Sequence, residues 1–207
     1  MAPWALALYA LYLALAFVGR TLLQLRTTGS TGFKGIGGRP GSAEWIGGVL
    51  FVVAILLGLA APVLTLAGAM QPFAVLDGAV GHALGFALFF LGLAGTLWAQ
   101  VAMGASWRIG VDEAETTDLV TAGPFAWVRN PIFSAMILTS FGLVLLVPNV
   151  AALIGFAALL VAIEVQVRLV EEPYLLRTHE ARYADYTSRV GRFAPGVAGR
   201  LSADRVR

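Results

Sequence analysis

The chain has no cysteine among its 207 residues, which excludes disulfides, thiolate metal sites and a thiol nucleophile. Histidine is nearly as scarce. His82 and His179 are too few for a His-rich metal centre, and no metal is expected. Charge is sparse as well: Asp, Glu, Lys and Arg make up 13% of the chain, against 58% hydrophobic residues. That balance leaves too little polar side chain to cover a soluble globule of this size, and it assigns the chain to the membrane class. The net charge of +2 is unremarkable, and no nucleic-acid partner is expected. Thirteen of the fourteen basic residues are Arg, a bias that GC-rich coding explains as easily as a function.

What is present is organised by where the charges fall. Four stretches carry no Asp, Glu, Lys or Arg: Met1 to Gly19, Trp45 to Leu76, Gly78 to Trp107 and Asn130 to Ile163. Each is long enough to cross a bilayer, which takes roughly 20 apolar residues for a ~30 Å core. The last is too long for one crossing, since a helix from Pro131 to Val170 would run roughly 60 Å at ~1.5 Å per residue. It must fold back, and Pro148-Asn149 in its middle breaks helices and turns chains. The fold class expected is therefore an all-α polytopic membrane protein of five spans, close to Pro3 to Leu25, Ala43 to Ala69, Gly78 to Met103, Pro131 to Val147 and Val150 to Val170. Spans four and five form a helical hairpin, a cytoplasmic amphipathic helix follows, and Pro62 is expected to kink span two.

Cytoplasmic loops carry an excess of Lys and Arg, and that rule tests the threading. Arg20, Arg26, Lys34 and Arg39 lie between spans one and two, and Arg108 and Arg129 between three and four. Arg168, Arg177, Arg182, Arg189, Arg192, Arg200, Arg205 and Arg207 follow span five. All fourteen thus fall on one side, which implies an N-terminus outside, a C-terminus in the cytoplasm and residence in the inner (plasma) membrane. A four-span threading would spoil the pattern. The first apolar run is not read as a signal peptide, because its charge follows the run at Arg20, and it is expected to stay. Residues 1–207 read as one membrane domain, with three spans in 1–103 and a flexible tail expected at 196–207.

The Gly-rich segment 28–42 invites a phosphate-loop reading, but it lacks the G-x-x-x-x-G-K-[ST] pattern and follows no strand. A flexible cytoplasmic loop, with a lid as the alternative, is the expectation. Two other segments have more texture than topology requires. Leu119 to Phe133 runs into span four, where Asn130 is expected to cap the helix and Pro131 to take its first position. Trp107 and Trp127 are expected in the interfacial aromatic belt. In the other segment, Glu164 lies near the end of span five, either as a functional acid at membrane depth or as the i,i+4 partner of Arg168. Tyr174, Leu175, Tyr183 and Tyr186 mark an amphipathic stretch that covers a pocket or lies against headgroups, the residues alone favouring headgroups.

With these residues in view, the sequence resembles a known family. L-V-T-A-G-P-F-A-W-V-R-N-P-I-F (119–133) is similar to the L-V-x-x-G-x-Y-x-x-x-R-H-P-x-Y signature of isoprenylcysteine carboxyl methyltransferases and their phospholipid-methylating relatives. Glu171-Glu172-Pro173-Tyr174-Leu175, then His179, Tyr183, Tyr186, Val190, Arg192 and Pro195, resembles that family's E-E-x-x-L pattern and the residues after it. The resemblance covers about Trp107 to Pro195 and makes 104–195 the methyltransferase-like, cofactor-binding part. It implies an enzyme that uses S-adenosylmethionine, bound on the cytoplasmic side, and a lipophilic or membrane-partitioned acceptor reached through membrane lipids. On this resemblance Thr117, Asp118, Leu119, Val120 and Phe125 line the cofactor, Asn130, Pro131, Ile132 and Phe133 contact it, and Glu171 takes its amino group, with Arg129 and Glu172 alongside. Glu164 and Arg168 are the candidates for a catalytic role. Arg108, Arg129 and Arg168 adjoin these segments, whereas topology accounts for the other eleven basic residues.

The departures are informative. Asn130 replaces the usual His of R-H-P, Phe125 and Phe133 replace tyrosines, and Thr117 stands where a His is frequent. Prenylcysteine enzymes carry an Arg four residues before the first Glu, facing the substrate carboxylate. Here that position is Val167, which argues against a prenylcysteine acceptor. The Phe-Gly that the pattern calls for is His179-Glu180, so the turn there is expected to differ. Two rival readings are a reductase of the sterol-reductase type using a nicotinamide cofactor, suggested by a similar R-H-x-N-Y element, and a non-enzymatic scaffold or transporter.

Overall fold

The computed structural model describes residues 1–33, 35–108 and 118–196. Five apolar helical runs lie within them: α1 (Ala2–Thr28), α2 (Ala43–Leu66), α3 (Ala79–Met103), α4 (Pro131–Leu146) and α5 (Val150–Arg189). Four are long and apolar enough to cross a membrane; α4, at 16 residues, is shorter. Sixteen residues rise roughly 24 Å, so α4 needs the Val147–Asn149 turn to complete its path across a ~30 Å core. No sheet occurs among the described residues, and one parallel bridge joins Val128 to Gly191.

Small residues set the packing, as expected where lipid gives helices no hydrophobic reason to associate. A side-chain carbon on Gly85 would lie 2.9 Å from the Gly142 carbonyl oxygen, and one on Gly142 would lie 2.6 Å from the Gly85 carbonyl oxygen, so α3 and α4 meet backbone to backbone. Gly155 does the same for α5 against α2, where a Cβ would stand 2.9 Å from Leu57. α1 lies across the bundle. Its Tyr9 hydroxyl donates to the Ile55 carbonyl at 2.7 Å, and its Tyr12 hydroxyl pairs with Thr96 at 3.2 Å. Phe89, Leu146, Ile163 and Val167 form the centre of the core. The outside is apolar too: Leu91 and Val101 are 63% and 72% exposed, which fits lipid and not water.

The turn and the kink that the sequence marked with proline are built differently. Pro148 ends α4, and Asn149 caps α5 by accepting from the Ala152 amide at 2.9 Å. The Asn149 amide group also donates to the Ala61 carbonyl at 3.0 Å and to the Thr65 hydroxyl at 2.9 Å, tying the turn to α2. α2 runs through Pro62 as one helix, one turn short of its end. α5 contains a π-helical turn at Gln166–Glu171 and a bend at Glu180, where φ is +43°.

Candidate functional site

The motif residues meet where α4 begins and α5 leaves the bundle. Pro131 takes the first helical position, as its fixed φ and missing N–H favour. Asn130, however, does not cap the helix with its side chain, contrary to the sequence expectation. Its amide instead donates to the Arg192 carbonyl at 3.2 Å, because the segment after α5 lies alongside and offers carbonyls. The Arg129 amide donates to the Gly191 carbonyl at 2.8 Å, the Asn130 backbone amide to Arg192 at 3.1 Å, and the Ser134 hydroxyl to Phe193 at 2.9 Å. The 191–193 segment is thus stitched to the start of α4.

A buried ion cluster ties the same two segments together. Glu172 is 4% exposed and takes a bidentate contact from Arg192, with Nε and Nη2 donating at 2.7 and 2.8 Å. That contact holds the Arg192 guanidinium above its ordinary pKa. The Arg129 guanidinium stands 3.2 Å from Glu172 Oε1, an ion contact outside hydrogen-bond geometry. Its buried nitrogens have no hydrogen-bond partner among the described residues. Two cations share one carboxylate in a nearly dry setting, a costly arrangement.

Tyr174, Tyr183 and Tyr186 are all buried, which overturns the expectation of a headgroup-facing stripe. Tyr183 and Tyr186 pack with Val190, Leu119, Leu175 and Leu176, and the Tyr186 hydroxyl donates to the Phe125 carbonyl at 2.5 Å. Burial pushes the Tyr186 hydroxyl up to about 12 and raises Tyr183 further. Both stay protonated donors at neutral pH. The helix after the spans thus covers the motif segment, because Leu119 and Phe125 give its apolar face a protein partner.

Glu171 closes the π-helical turn just beyond the expected limit of span five. It is half-buried and accepts one long hydrogen bond, 3.3 Å, from the Gln166 side chain. Burial pushes its carboxyl up to about 7; the Gln166 bond and the Arg108 charge lower it, and Glu172 raises it. The Arg108 guanidinium lies over the Tyr174 ring at 5.3 Å from its centroid. π-helical turns are frequent at functional sites, and a second one lies at Ala14–Gly19 in α1.

Of the other expected site residues, Leu119, Val120, Ile132 and Phe133 are half-buried, Pro131 is buried and Asp118 is exposed. Thr117 lies outside the described residues. Glu164 and Arg168 pair with each other at i,i+4, with their side chains 44% and 53% exposed. Trp127 faces outward against Trp98, but Trp107 is buried beneath Arg20 and does not belong to an aromatic belt. Arg192 as the main partner of Glu172 was not foreseen, although its place in the motif spacing was the available signal.

Residues 80–182, about half the chain, match the family model of the phospholipid methyltransferases. The chain belongs to that family. No curated protein matches the sequence. The methyltransferase family match runs from α3 to just past the Glu180 bend, so it takes in the start of α4, the ion-pairing Glu172 and Glu171. α1, α2 and the 191–193 segment lie outside it. Fold and family together make this a multi-pass membrane methyltransferase.

Proposed function

We propose that this methyltransferase uses S-adenosylmethionine, held at the Glu171 end of the bundle, to methylate a lipophilic acceptor that reaches the site through the membrane. The observation that carries this reading is Glu171. It is a half-buried acid that accepts a long hydrogen bond from Gln166, set in a π-helical turn near the Arg108 guanidinium that lies over Tyr174. A carboxylate suits an ammonium, an aromatic wall suits an adenine or a sulfonium, and the residues present therefore fit the cofactor's groups. Glu171 would hold the amino group, while Leu119, Val120, Phe125 and the 130–133 turn would supply walls, with Asp118 and Thr117 at the segment's start. The cofactor supplies an already activated methyl group on sulfur.

The protein's share is then alignment and exclusion of water. The Arg129–Glu172–Arg192 cluster and the 191–193 strap fix the start of α4, and the buried tyrosines seal the segment that carries Phe125. Val167 is fully buried, so the side chain at the position where prenylcysteine enzymes carry an Arg offers a substrate carboxylate no charge. A phospholipid-like acceptor is favoured by that position and by the family's name. The exposed Glu164–Arg168 pair is available on the helix that an approaching acceptor would pass. The one-sided Lys and Arg support a cytoplasmic site in the inner membrane. Reporter fusions after Gln71 and Arg205 should read outside and cytoplasm respectively; the reverse would move the site to the wrong side for a cytoplasmic cofactor.

The direct test is incubation of the purified protein with membrane lipid extract and methyl-labelled S-adenosylmethionine, followed by mass spectrometry of the lipids. Label should enter a lipid class. A lipid fraction without label, under conditions where the cofactor binds, would contradict the acceptor assignment. Binding of a nicotinamide in its place would favour the reductase alternative, and binding of neither the scaffold.

A further inference from the structure

Arg20 looks at first like a topological charge, but the structure puts it elsewhere. An Arg that serves orientation extends its head to water or headgroups. Arg20 is 7% exposed, and its Nη2 donates to the Gly104 carbonyl at 2.5 Å while its guanidinium stacks on Trp107 at 4.8 Å. One turn further along α1, the Gln24 amide donates to the Ala105 carbonyl at 2.8 Å; one turn earlier, Gln100 of α3 donates to the Ala16 carbonyl at 2.8 Å. Trp107 is held from the other side by the Gly-rich segment. A Cβ on Gly32 would lie 3.0 Å from the Trp107 carbonyl oxygen and 3.2 Å from its ring.

This polar seam is expensive. Arg20 Nε, Gln24 Oε1 and Gln100 Oε1 are buried without hydrogen-bond partners among the described residues. Each such atom costs about 1–3 kcal/mol, so apolar side chains would join α1 to α3 more cheaply. What only donors can do is grip the carbonyls of the 3-10 turn Gly104–Ser106, where α3 ends. The residue after Trp107 is Arg108, which lies over Tyr174 and whose charge acts on Glu171.

We propose that Arg20 is a positioning residue for the cofactor site: by gripping Gly104 and Trp107 it fixes the turn that lays Arg108 over Tyr174, beside Glu171. This rests on the cofactor assignment above, and it gives the first span, which lies outside the family match, a part in binding. The groups acting on Glu171 are Gln166, Arg108 and Glu172; loosening the turn withdraws Arg108 alone, so binding should need a higher pH as well as more cofactor.

The test uses the full chain in lipid nanodiscs, titrated with S-adenosylhomocysteine and assayed with S-adenosylmethionine. Arg20→Met should weaken binding and raise KM for the cofactor by roughly five- to tenfold, with kcat within about twofold, and should move the pH midpoint of binding upward. Arg20→Lys should recover part of the loss. If Arg20→Met does not fold, Trp107→Phe carries the same test, with an expected weakening of roughly two- to threefold. Unmodified affinity in the folded variants, or a fall in kcat at constant KM, overturns the proposal. No binding by the unmodified protein would instead bring down the cofactor assignment, and this inference with it.

Discussion

The two ends of the α4–α5 hairpin use the same two residues in opposite order and to opposite effect. At Pro148-Asn149 the buried Asn side chain accepts one hydrogen bond and donates two, so it ties that turn to both α2 and α5. At Asn130-Pro131 the Asn side chain reaches across to the 192 carbonyl, and the charges around it are left incompletely matched. Arg129 has buried nitrogens without hydrogen bonds among the described residues, and Glu171 has a carboxyl pushed up to about 7. A fully paired turn is what stability alone would build. The unbalanced end is where a ligand with charges of its own can be stabilised.

If that contrast is right, the two ends should respond differently to mutation. The largest effect is expected for Glu172→Gln, which leaves Arg129 and Arg192 without their shared counter-charge. It should destabilise the folded protein by about 3–5 kcal/mol, read as a lowered unfolding midpoint in detergent. Asn149→Ala should cost about 1–3 kcal/mol at the other end and leave cofactor affinity unchanged. A parallel loss of affinity would mean the two ends are coupled and the contrast is false. The smallest effect should be a gain. Glu180 holds φ at +43°, a conformation glycine adopts freely, so Glu180→Gly should raise stability by about 1 kcal/mol in the same unfolding assay.

Much of the fold was legible in the sequence because charge is so strongly segregated. The gaps between Arg clusters marked the spans, and Pro148-Asn149 marked the reversal, to within a few residues of the end of α4 and the start of α5. What the sequence could not supply was which partner covers an amphipathic face. Tyr183 and Tyr186 look the same whether they meet headgroups or Leu119 and Phe125, and the structure chose the latter. Asn130 was expected to cap because nothing local revealed that the 191–193 segment would compete for its amide. Arg20 was hidden by a rule that explained it too readily. The bend at Glu180 puts a residue other than glycine at positive φ.

The most direct test of the account is a calorimetric titration of S-adenosylhomocysteine into the unmodified protein and into Glu171→Ala, at pH 8 and at pH 6. The free carboxyl is pushed up to about 7, and a bound ammonium favours its ionised form. Binding to the unmodified protein should therefore be tighter at pH 8 and weaken as the pH falls through 7, by up to about tenfold per unit. Glu171→Ala should bind at least about 30-fold more weakly at pH 8, consistent with loss of a charged hydrogen bond, and should show little of this pH dependence. Equal binding by the two proteins, with the same pH profile, would contradict the placement of the cofactor at Glu171.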